Sequence, residues 1–241
     1  VDVFDKGEQA HVPLLAGFNS GEIRSQRALL PSAPADAAVY QAEIQRRYRD
    51  LAPAFLHLYP PDDITGSMLA TVRDAVYGSA AERMIRQQSA AGQPSYLYFF
   101  DHCYPAASAR NLCDFHASEL PFVFGHVGDD ATLPPNWPRP QGAEQHAMSA
   151  AMIGYWVGFA KTGVPSAPGL PVWQPYSISQ MSYMHFADKP RTERHDPVPG
   201  MFEMQEALFE RRRKNDQQWF INVGVAAPVI PGVSDRTPAG K

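Results

Sequence analysis

Apolar residues occur along this chain in short continuous runs and in stripes at helical spacing. The run Pro13–Gly17 is followed by the turn formers of Phe18–Gly21, which predicts a buried strand of a parallel sheet that ends in a turn. Ligands in open α/β sheets gather at that end of the strands. The aromatic run Tyr96–Phe100 predicts a second strand, and the short run Tyr183–Phe186 predicts an edge strand.

Apolar side chains recur at helical spacing in several longer segments, and each such segment predicts a helix. Pro53 interrupts the chain after the first segment. Gly78 marks a break within the second segment, and Gly163 is a natural stop for the third. The Pro/Gly-rich tail Gly224–Lys241 is expected to be irregular. The predicted helices are 38–51, 64–91, 144–162 and 201–219.

The composition is that of an ordinary globular protein. Of the 241 residues, 44% are hydrophobic and 19% are charged, which suffices for one sizeable core. The formal net charge is -4 and the pI is about 6.1, so no nucleic-acid partner is expected. The basic run Arg211–Lys214 stands among acidic residues and is interpreted as the exposed end of a helix. Because no apolar run is long enough to span a membrane and no Cys/His spacing fits a zinc site, we expect no membrane span, no metal and no cofactor.

The segment Phe115–Gly125 contains candidate chemistry. His116 is followed by Glu119 and then by the apolar run Leu120–Phe124. An imidazole titrates near neutral pH and is therefore suited to act as a general base. A single histidine beside apolar residues is more often structural, so the residue pattern alone leaves both interpretations open.

Written as HxxEL-x-FVFG, residues 116–125 resemble the catalytic-histidine segment of the type-B carboxylesterases. That family includes the bacterial para-nitrobenzyl esterases and the cholinesterases. Its members are α/β-hydrolases with a mixed, mostly parallel sheet, flanking helices and a Ser-Glu-His triad. The resemblance implies that His116 is the base of such a triad. Glu119, beside that base, is expected to be a structural or supporting carboxylate.

Glu22 is the second candidate. From the residues alone it is a surface carboxylate that opens a helix, where it would favour the helix dipole. The stretch Gly17–Glu22 also resembles the family's G-x-N/T-x-x-E segment, in which the glutamate is the triad acid. The resemblance implies that role for Glu22, with Gly21 in place of the more usual Asp. The strand segment 94–100 and the block 159–176 resemble further parts of the family pattern.

The nucleophile of the triad is expected outside this chain. A nucleophilic serine needs a Gly-x-Ser-x-Gly corner between a strand and a helix. The nearest match, Gly232–Arg236, lacks the second glycine. The resemblance covers roughly Val12–Phe209, which corresponds to the C-terminal half of the family's architecture. It implies that residues 1–223 are the C-terminal half of one α/β-hydrolase domain, that 224–241 is a tail, and that an N-terminal half supplies the serine and the oxyanion hole.

The resemblance therefore implies a carboxylic ester hydrolase that acts on a small-molecule ester through an acyl-enzyme. Its expected partner is the N-terminal half of the same enzyme. The alternative is a non-catalytic adhesion module, because the family includes neuroligin-like members that keep the fold and have lost the triad. The presence of both Glu22 and His116 favours the enzyme.

The two cysteines, Cys103 and Cys113, lie in one predicted loop before His116. A disulfide between them would brace the approach to the histidine and would indicate an oxidising compartment, secreted or periplasmic. Two free thiols in a cytosolic protein are the alternative. The even number of cysteines and their placement in one loop favour the disulfide.

Overall fold

The computed structural model describes residues 2–215, 217 and 222–233, and in that part of the chain it has a four-stranded mixed sheet. The strands lie in the order β1-β2-β3-β4. β1 pairs with β2 and β2 with β3 in parallel, whereas β3 pairs with β4 antiparallel. The predicted α/β class with a mostly parallel sheet is therefore confirmed. The strands are β1, Leu14–Asn19; β2, Ser95–Phe100; β3, Ser182–Phe186; and β4, Pro190–Arg194.

The first two strands follow from their apolar runs. Almost every residue of β2 is buried, as is typical of a parallel strand that is covered on both faces. β1 extends further than the prediction, because Phe18 and Asn19 pair with Phe99 and Phe100 of β2. The turn after β1 therefore begins at Ser20 rather than at Phe18.

The prediction that Tyr183–Phe186 is an edge strand was wrong. β3 lies between β2 and β4, and every one of its residues is buried. The edge is β4, whose sequence Pro-Arg-Thr-Glu-Arg has no apolar pattern and therefore escapes prediction. Proline and charges are common on sheet edges, because they prevent pairing with another chain.

Each of the four predicted helical segments contains a helix, and four short α-helices of the described residues lie outside those segments. Gly163, in the left-handed region at φ 75°, ends the long helix Ala143–Thr162 as predicted. The predicted break at Gly78 is a π-helical turn over Asp74–Gly78. The last helix ends at Arg213 instead of Trp219, which lies outside the described residues. The helices are α1, Asp2–Asp5; α2, Ala37–Tyr48; α3, Ala52–Leu58; α4, Ile64–Arg73; α5, Ser79–Ala90; α6, Pro105–Ser108; α7, Leu120–Val123; α8, Ala143–Thr162; and α9, Met201–Arg213.

The basic run at the end of α9 is only partly an exposed helix end. Arg211 binds both carboxylate oxygens of Asp50, at 2.6 and 2.8 Å. Arg212 is buried, with 2% of its surface exposed, which corrects the prediction for that residue. Arg213 and Lys214 are exposed as predicted.

Two compact units make up the chain, and each has its own core. The first unit comprises Val1–Ser25 and Ala80–Pro197, and it contains the sheet. The second comprises Gln26–Ser79 and Val198–Lys241 and is mainly helical. In the first unit, one side of α8 packs with side chains of β2 and β3, and each large side chain buried in this way contributes roughly 1.5–3 kcal/mol. That core includes Tyr96, Phe100, Phe122, Met148, Met152, Tyr155, Trp173, Met184 and Phe186.

The core of the second unit is formed by α2, α3 and α9, together with the start of the tail. Within the tail, Gly224–Ala226 form a short 3₁₀ turn, residues 227–233 have no regular helix or strand, and 234–241 lie outside the described residues. None of the described helices has the length and apolar content needed to cross a bilayer. The members of this core are Tyr40, Ile44, Tyr48, Ala52, Phe55, Tyr59, Met204, Leu208, Ala227 and Ile230.

Candidate active site

The carboxyl end of β1 carries the first half of the site. β1 ends at Asn19, and Glu22 follows after a tight turn. The backbone amide of Asn19 donates a hydrogen bond to Oε1 of Glu22 at 2.9 Å, which folds the carboxylate back over the strand end. Only 6% of the Glu22 side chain is exposed. Glu22 is therefore a buried carboxylate and does not fit the surface interpretation of its sequence.

The neighbouring strand β2 leads to the second half of the site through the loop that ends at His116. Phe115 forms an isolated parallel bridge with Gly21. The carbonyl of Phe115 accepts a hydrogen bond from Nδ2 of Asn19 at 3.1 Å, and the amide of Gly21 donates to the carbonyl of Asp114 at 3.1 Å. These backbone contacts hold the two loops side by side at the carboxyl ends of adjacent parallel strands.

The structure brings Glu22 and His116 together. Nδ1 of His116 lies 2.6 Å from Oε2 of Glu22, the short distance of a charge-assisted hydrogen bond. The imidazole side chain is 41% exposed above the buried carboxylate. Burial raises the pKa of Glu22 above its ordinary value, although the bonds from the Asn19 amide and from His116 act in the opposite direction.

This geometry determines what the imidazole is able to do. A carboxylate accepts hydrogen bonds, so Nδ1 of His116 carries the hydrogen and the lone pair resides on Nε2. A proton taken up at Nε2 makes an imidazolium, which the adjacent Glu22 carboxylate stabilises. The pair therefore has the arrangement of a general base with its orienting acid.

Glu119 reaches the same site through Asn19. Its Oε2 accepts a hydrogen bond from Nδ2 of Asn19 at 2.5 Å. Asn19 thereby contacts Glu22 with its backbone and Glu119 with its side chain. The charge of Glu119 also raises the pKa of Glu22. The contact fits the structural or supporting role expected of Glu119. The sequence analysis assigned no role to Asn19, which occurred there only as a position of the G-x-N pattern.

Gly21, where the family more usually has Asp, leaves no room for a side chain. A β-carbon on this residue would lie 2.1 Å from the carbonyl oxygen of Cys113, which is far inside van der Waals contact. The absence of a side chain allows the loop before His116 to approach the turn before Glu22. The close packing of these two loops therefore explains why position 21 holds glycine instead of aspartate.

Cys103 and Cys113 form a disulfide, with their Cα atoms 4.6 Å apart. The bond closes the loop between β2 and His116, and the carbonyl of Cys113 accepts a hydrogen bond from Nη1 of Arg24 at 2.9 Å. A disulfide is consistent with an oxidising, extracellular environment. The loop that carries the histidine is therefore held both covalently and by the segment that follows Glu22.

Two further histidines of this unit have structural surroundings. Nδ1 of His102 lies 2.7 Å from the carbonyl of Ala187, and Nε2 lies 2.5 Å from Oε1 of Gln145. Nε2 of His185 lies 3.4 Å from Oδ2 of Asp101. His102, the histidine nearest the loop in sequence, is thus held at both ring nitrogens.

A polar group beside the pair was missed at the level of sequence. Oγ of Ser20 donates to Oδ2 of Asp114 at 2.9 Å, and the same hydroxyl is within hydrogen-bonding reach of Asp101. Ser20 and Asp114 each lie two positions before one of the two site residues, and this proximity to the motifs is the signal that could have identified them. In the described part of the chain, no cluster of three or more His, Cys, Asp or Glu side chains is placed to hold a metal ion.

Comparison with known proteins gives a consistent picture. A model of the "Carboxylesterase family" matches residues 4–199. Carboxylesterase 5A of Canis lupus familiaris is 33% identical over 131 residues, which are 52% of this chain and 22% of that protein. Neuroligin-3 of Macaca mulatta is 26% identical over 169 residues, or 62% of this chain and 81% of the compared sequence.

Two solved structures share the fold. A PNB esterase aligns with a TM-score of 0.63 at 23% identity, over 85% of this chain and 40% of its own. Aspergillus niger EstA aligns with a TM-score of 0.67 at 16% identity, over 87% of this chain and 42% of its own. These likenesses show the α/β-hydrolase fold that the sequence predicts. The chain spans about two fifths of either structure and about a fifth of carboxylesterase 5A.

Proposed function

Because this chain belongs to the carboxylesterase family, we propose that it carries the acid and the base of a carboxylic ester hydrolase. His116 is the general base and Glu22 the acid that orients it. The observation that carries the proposal is the 2.6 Å contact between Nδ1 of His116 and Oε2 of Glu22, with the imidazole exposed and the carboxylate buried.

The proposed reaction passes through an acyl-enzyme. Nε2 of His116 takes the proton of a serine hydroxyl as the serine oxygen attacks the ester carbonyl, and the imidazolium then gives that proton to the departing alcohol. Water, deprotonated by the same nitrogen, attacks the acyl-serine and releases the carboxylic acid and the serine. Glu22 keeps Nδ1 protonated throughout and stabilises the imidazolium of each step.

The serine and the oxyanion hole belong, in this proposal, to an N-terminal half of the enzyme. The family relationship and the coverage of about two fifths of the solved esterases support that view. The open edge of the sheet also supports it, because in the described part of the chain β1 pairs on one side only. The substrate is a small-molecule ester. The disulfide Cys103–Cys113 supports a secreted or periplasmic location.

An adhesion module without catalysis is the second candidate, and the likeness to neuroligin-3 favours it. An adhesion protein has no need for an exposed imidazole held by a buried carboxylate. The preserved contact between Glu22 and His116 therefore supports the enzyme over the adhesion module.

The test compares residues 1–241 alone with the full-length polypeptide from the same gene. We expect the full-length protein to hydrolyse an aryl ester and to be labelled stoichiometrically by a fluorophosphonate, and we expect residues 1–241 alone to do neither. For the His116→Ala variant of the full-length protein, His126→Ala is the matched control, because His126 is an exposed histidine in the same unit. A full-length protein that is neither active nor labelled would favour the adhesion module.

A further inference from the structure

Ser20 and Asp114 stand in equivalent places, each two positions before a residue of the candidate pair. Oγ of Ser20 donates a hydrogen bond to Oδ2 of Asp114 at 2.9 Å. We propose that Asp114 is a positioning residue, which ties the loop of Glu22 to the loop of His116 through the Ser20 hydroxyl. The inference rests on the proposed function, because it concerns the alignment of the acid with the base.

The surroundings of Asp114 are unfavourable for a carboxylate. The residue is 2% exposed, and in the described part of the chain its Oδ1 has no hydrogen-bond partner. Nη1 of Arg24 is 3.9 Å from Oδ2, and that nitrogen donates to the carbonyl of Cys113 instead. A buried carboxylate with so little compensation destabilises the fold. The hydrogen bond from Ser20 is the specific contact that the Asp114 side chain makes.

The groups that face Asp114 come from several elements. Asp101 follows β2, His185 lies on β3, Arg24 follows the Glu22 turn, and Tyr104 precedes α6. Burial raises the pKa of Asp114 to about 7, and Asp101 adds to this, whereas Ser20, Arg24 and His185 lower it. The carbonyl oxygen of the protonated acid also accepts a hydrogen bond from Ser20, and the carboxylate accepts a stronger one. The contact between the loops therefore persists in both protonation states.

The backbone offers a competing reason for an aspartate at this position. Asp114 has φ 54°, in the left-handed region that Asp and Asn adopt more readily than other non-glycine residues. Three substitutions separate the two reasons. Asp114→Gly keeps the backbone conformation and removes the acceptor. Asp114→Asn keeps both the conformation and an acceptor oxygen. Ser20→Ala leaves Asp114 in place and removes the hydroxyl, together with its contact to Asp101.

The first measurement is the turnover of an aryl ester by the full-length polypeptide. We expect Ser20→Ala and Asp114→Gly to lower kcat by roughly tenfold with KM changed less than about twofold, since a misaligned base affects the transition state more than binding. Asp114→Asn should retain kcat within about threefold of wild type, because the acceptor oxygen remains. The double variant Ser20→Ala/Asp114→Gly should be no worse than the poorer single variant, because both changes remove the same hydrogen bond.

The second measurement needs no turnover and is made on the full-length polypeptide. The proton on Nδ1 of His116 gives a far-downfield NMR resonance when it is held in a short hydrogen bond to Glu22. We expect Ser20→Ala and Asp114→Gly to broaden or shift that resonance, and we expect Asp114→Asn to leave it in place. The exposed Asp188, on the connection between β3 and β4, provides the matched control as Asp188→Ala.

Two results would overturn the positioning role. The first is a His116 resonance and a kcat that are both unchanged in Ser20→Ala and Asp114→Gly. The second is an Asp114→Asn variant as impaired as Asp114→Gly, because the acceptor oxygen would then be irrelevant. Failure of the proposed function would give a different result, because the full-length wild type would then not hydrolyse the ester. In that case the NMR comparison of the variants still tests the role of Asp114.

Discussion

Among the histidine–carboxylate pairs of the sheet-containing unit, His116–Glu22 and His185–Asp101 are built in opposite ways. In the first pair the His116 side chain is 41% exposed and the Glu22 side chain 6%. In the second pair the exposure is reversed, with His185 at 11% and Asp101 at 42%. The distances differ as well, at 2.6 Å for the first pair and 3.4 Å for the second.

The second pair shows what a structural histidine looks like. Nη2 of Arg191 lies 3.0 Å from Nδ1 of His185, and because a guanidinium only donates, that nitrogen holds the lone pair. The ring of His185 is thus fixed between a cation and Asp101. Both pairs bring an imidazole close to a carboxylate, and they differ in which partner is exposed: the ring in the first pair and the acid in the second.

The largest predicted effect separates the two histidines directly. His116→Ala in the full-length polypeptide should lower kcat for an aryl ester by about 10⁴-fold or more, because the proposed general base is lost. His185→Ala should stay within about tenfold of wild type, because that ring only supports the sheet edge. Steady-state kinetics on both variants checks the prediction. Equal losses in the two variants would abolish the distinction between the pairs.

The two acids provide the next comparison. Glu22→Gln should lower kcat by roughly 10³–10⁴-fold with the fold intact, because the amide no longer enforces the Nδ1–H tautomer of His116. Asp101→Asn should have less than about a tenfold effect, because Asp101 contacts His185 and Ser20, neither of which takes a proton in the proposed reaction. Circular dichroism confirms folding before the rates are compared. A Glu22→Gln variant close to wild type would contradict the role of the acid.

The smallest effect concerns stability and pH rather than rate. Burial raises the folded-state pKa of Asp114 from 3.8 to about 7, so the folded protein binds this proton more tightly than the unfolded chain does. The stabilisation that comes from this proton is present in full below about pH 4 and is lost as the pH rises to about 7. Its loss lowers the free energy of unfolding by a few kcal/mol, at about 1.4 kcal/mol per pKa unit. Asp114→Asn should therefore melt at a higher temperature than wild type at pH 8, and the difference should shrink or reverse at pH 5.

The contribution of Asp101 to stability should depend on pH in the opposite direction to that of Asp114. Burial raises its pKa, but the hydrogen bonds from His185 and Ser20 and the charge of Arg24 bring the net value below the ordinary one. Its stabilisation is present above the unfolded pKa and is lost as the pH falls. Asp101→Asn should thus destabilise the protein more at pH 8 than at acid pH. Calorimetry of both variants, with Asp188→Asn as the exposed control, tests the contrast, and parallel pH curves for the two would contradict it.

The positions of Glu22 and His116 were predictable because each belongs to a short motif at a strand end or in the following loop. Parallel strands bring such positions to one edge of a sheet, so their proximity required only the correct topology. The contacts of Asn19 with Glu119 and of Ser20 with Asp114 were not predictable, because each joins residues far apart in sequence through side-chain geometry. β4 was missed because an exposed edge strand needs no apolar alternation.

Within residues 2–215, 217 and 222–233, the two edges of the sheet differ, and this has a consequence for handling the protein. β4 presents proline, two arginines and a glutamate, whereas Leu14–Asn19 of β1 contains neither a charge nor a proline. An uncharged edge with a free row of backbone amides and carbonyls is a template for strand addition. Preparations of residues 1–241 alone should therefore become turbid as their concentration rises. Co-expression with the proposed N-terminal half, which would cover β1, should keep the sample clear.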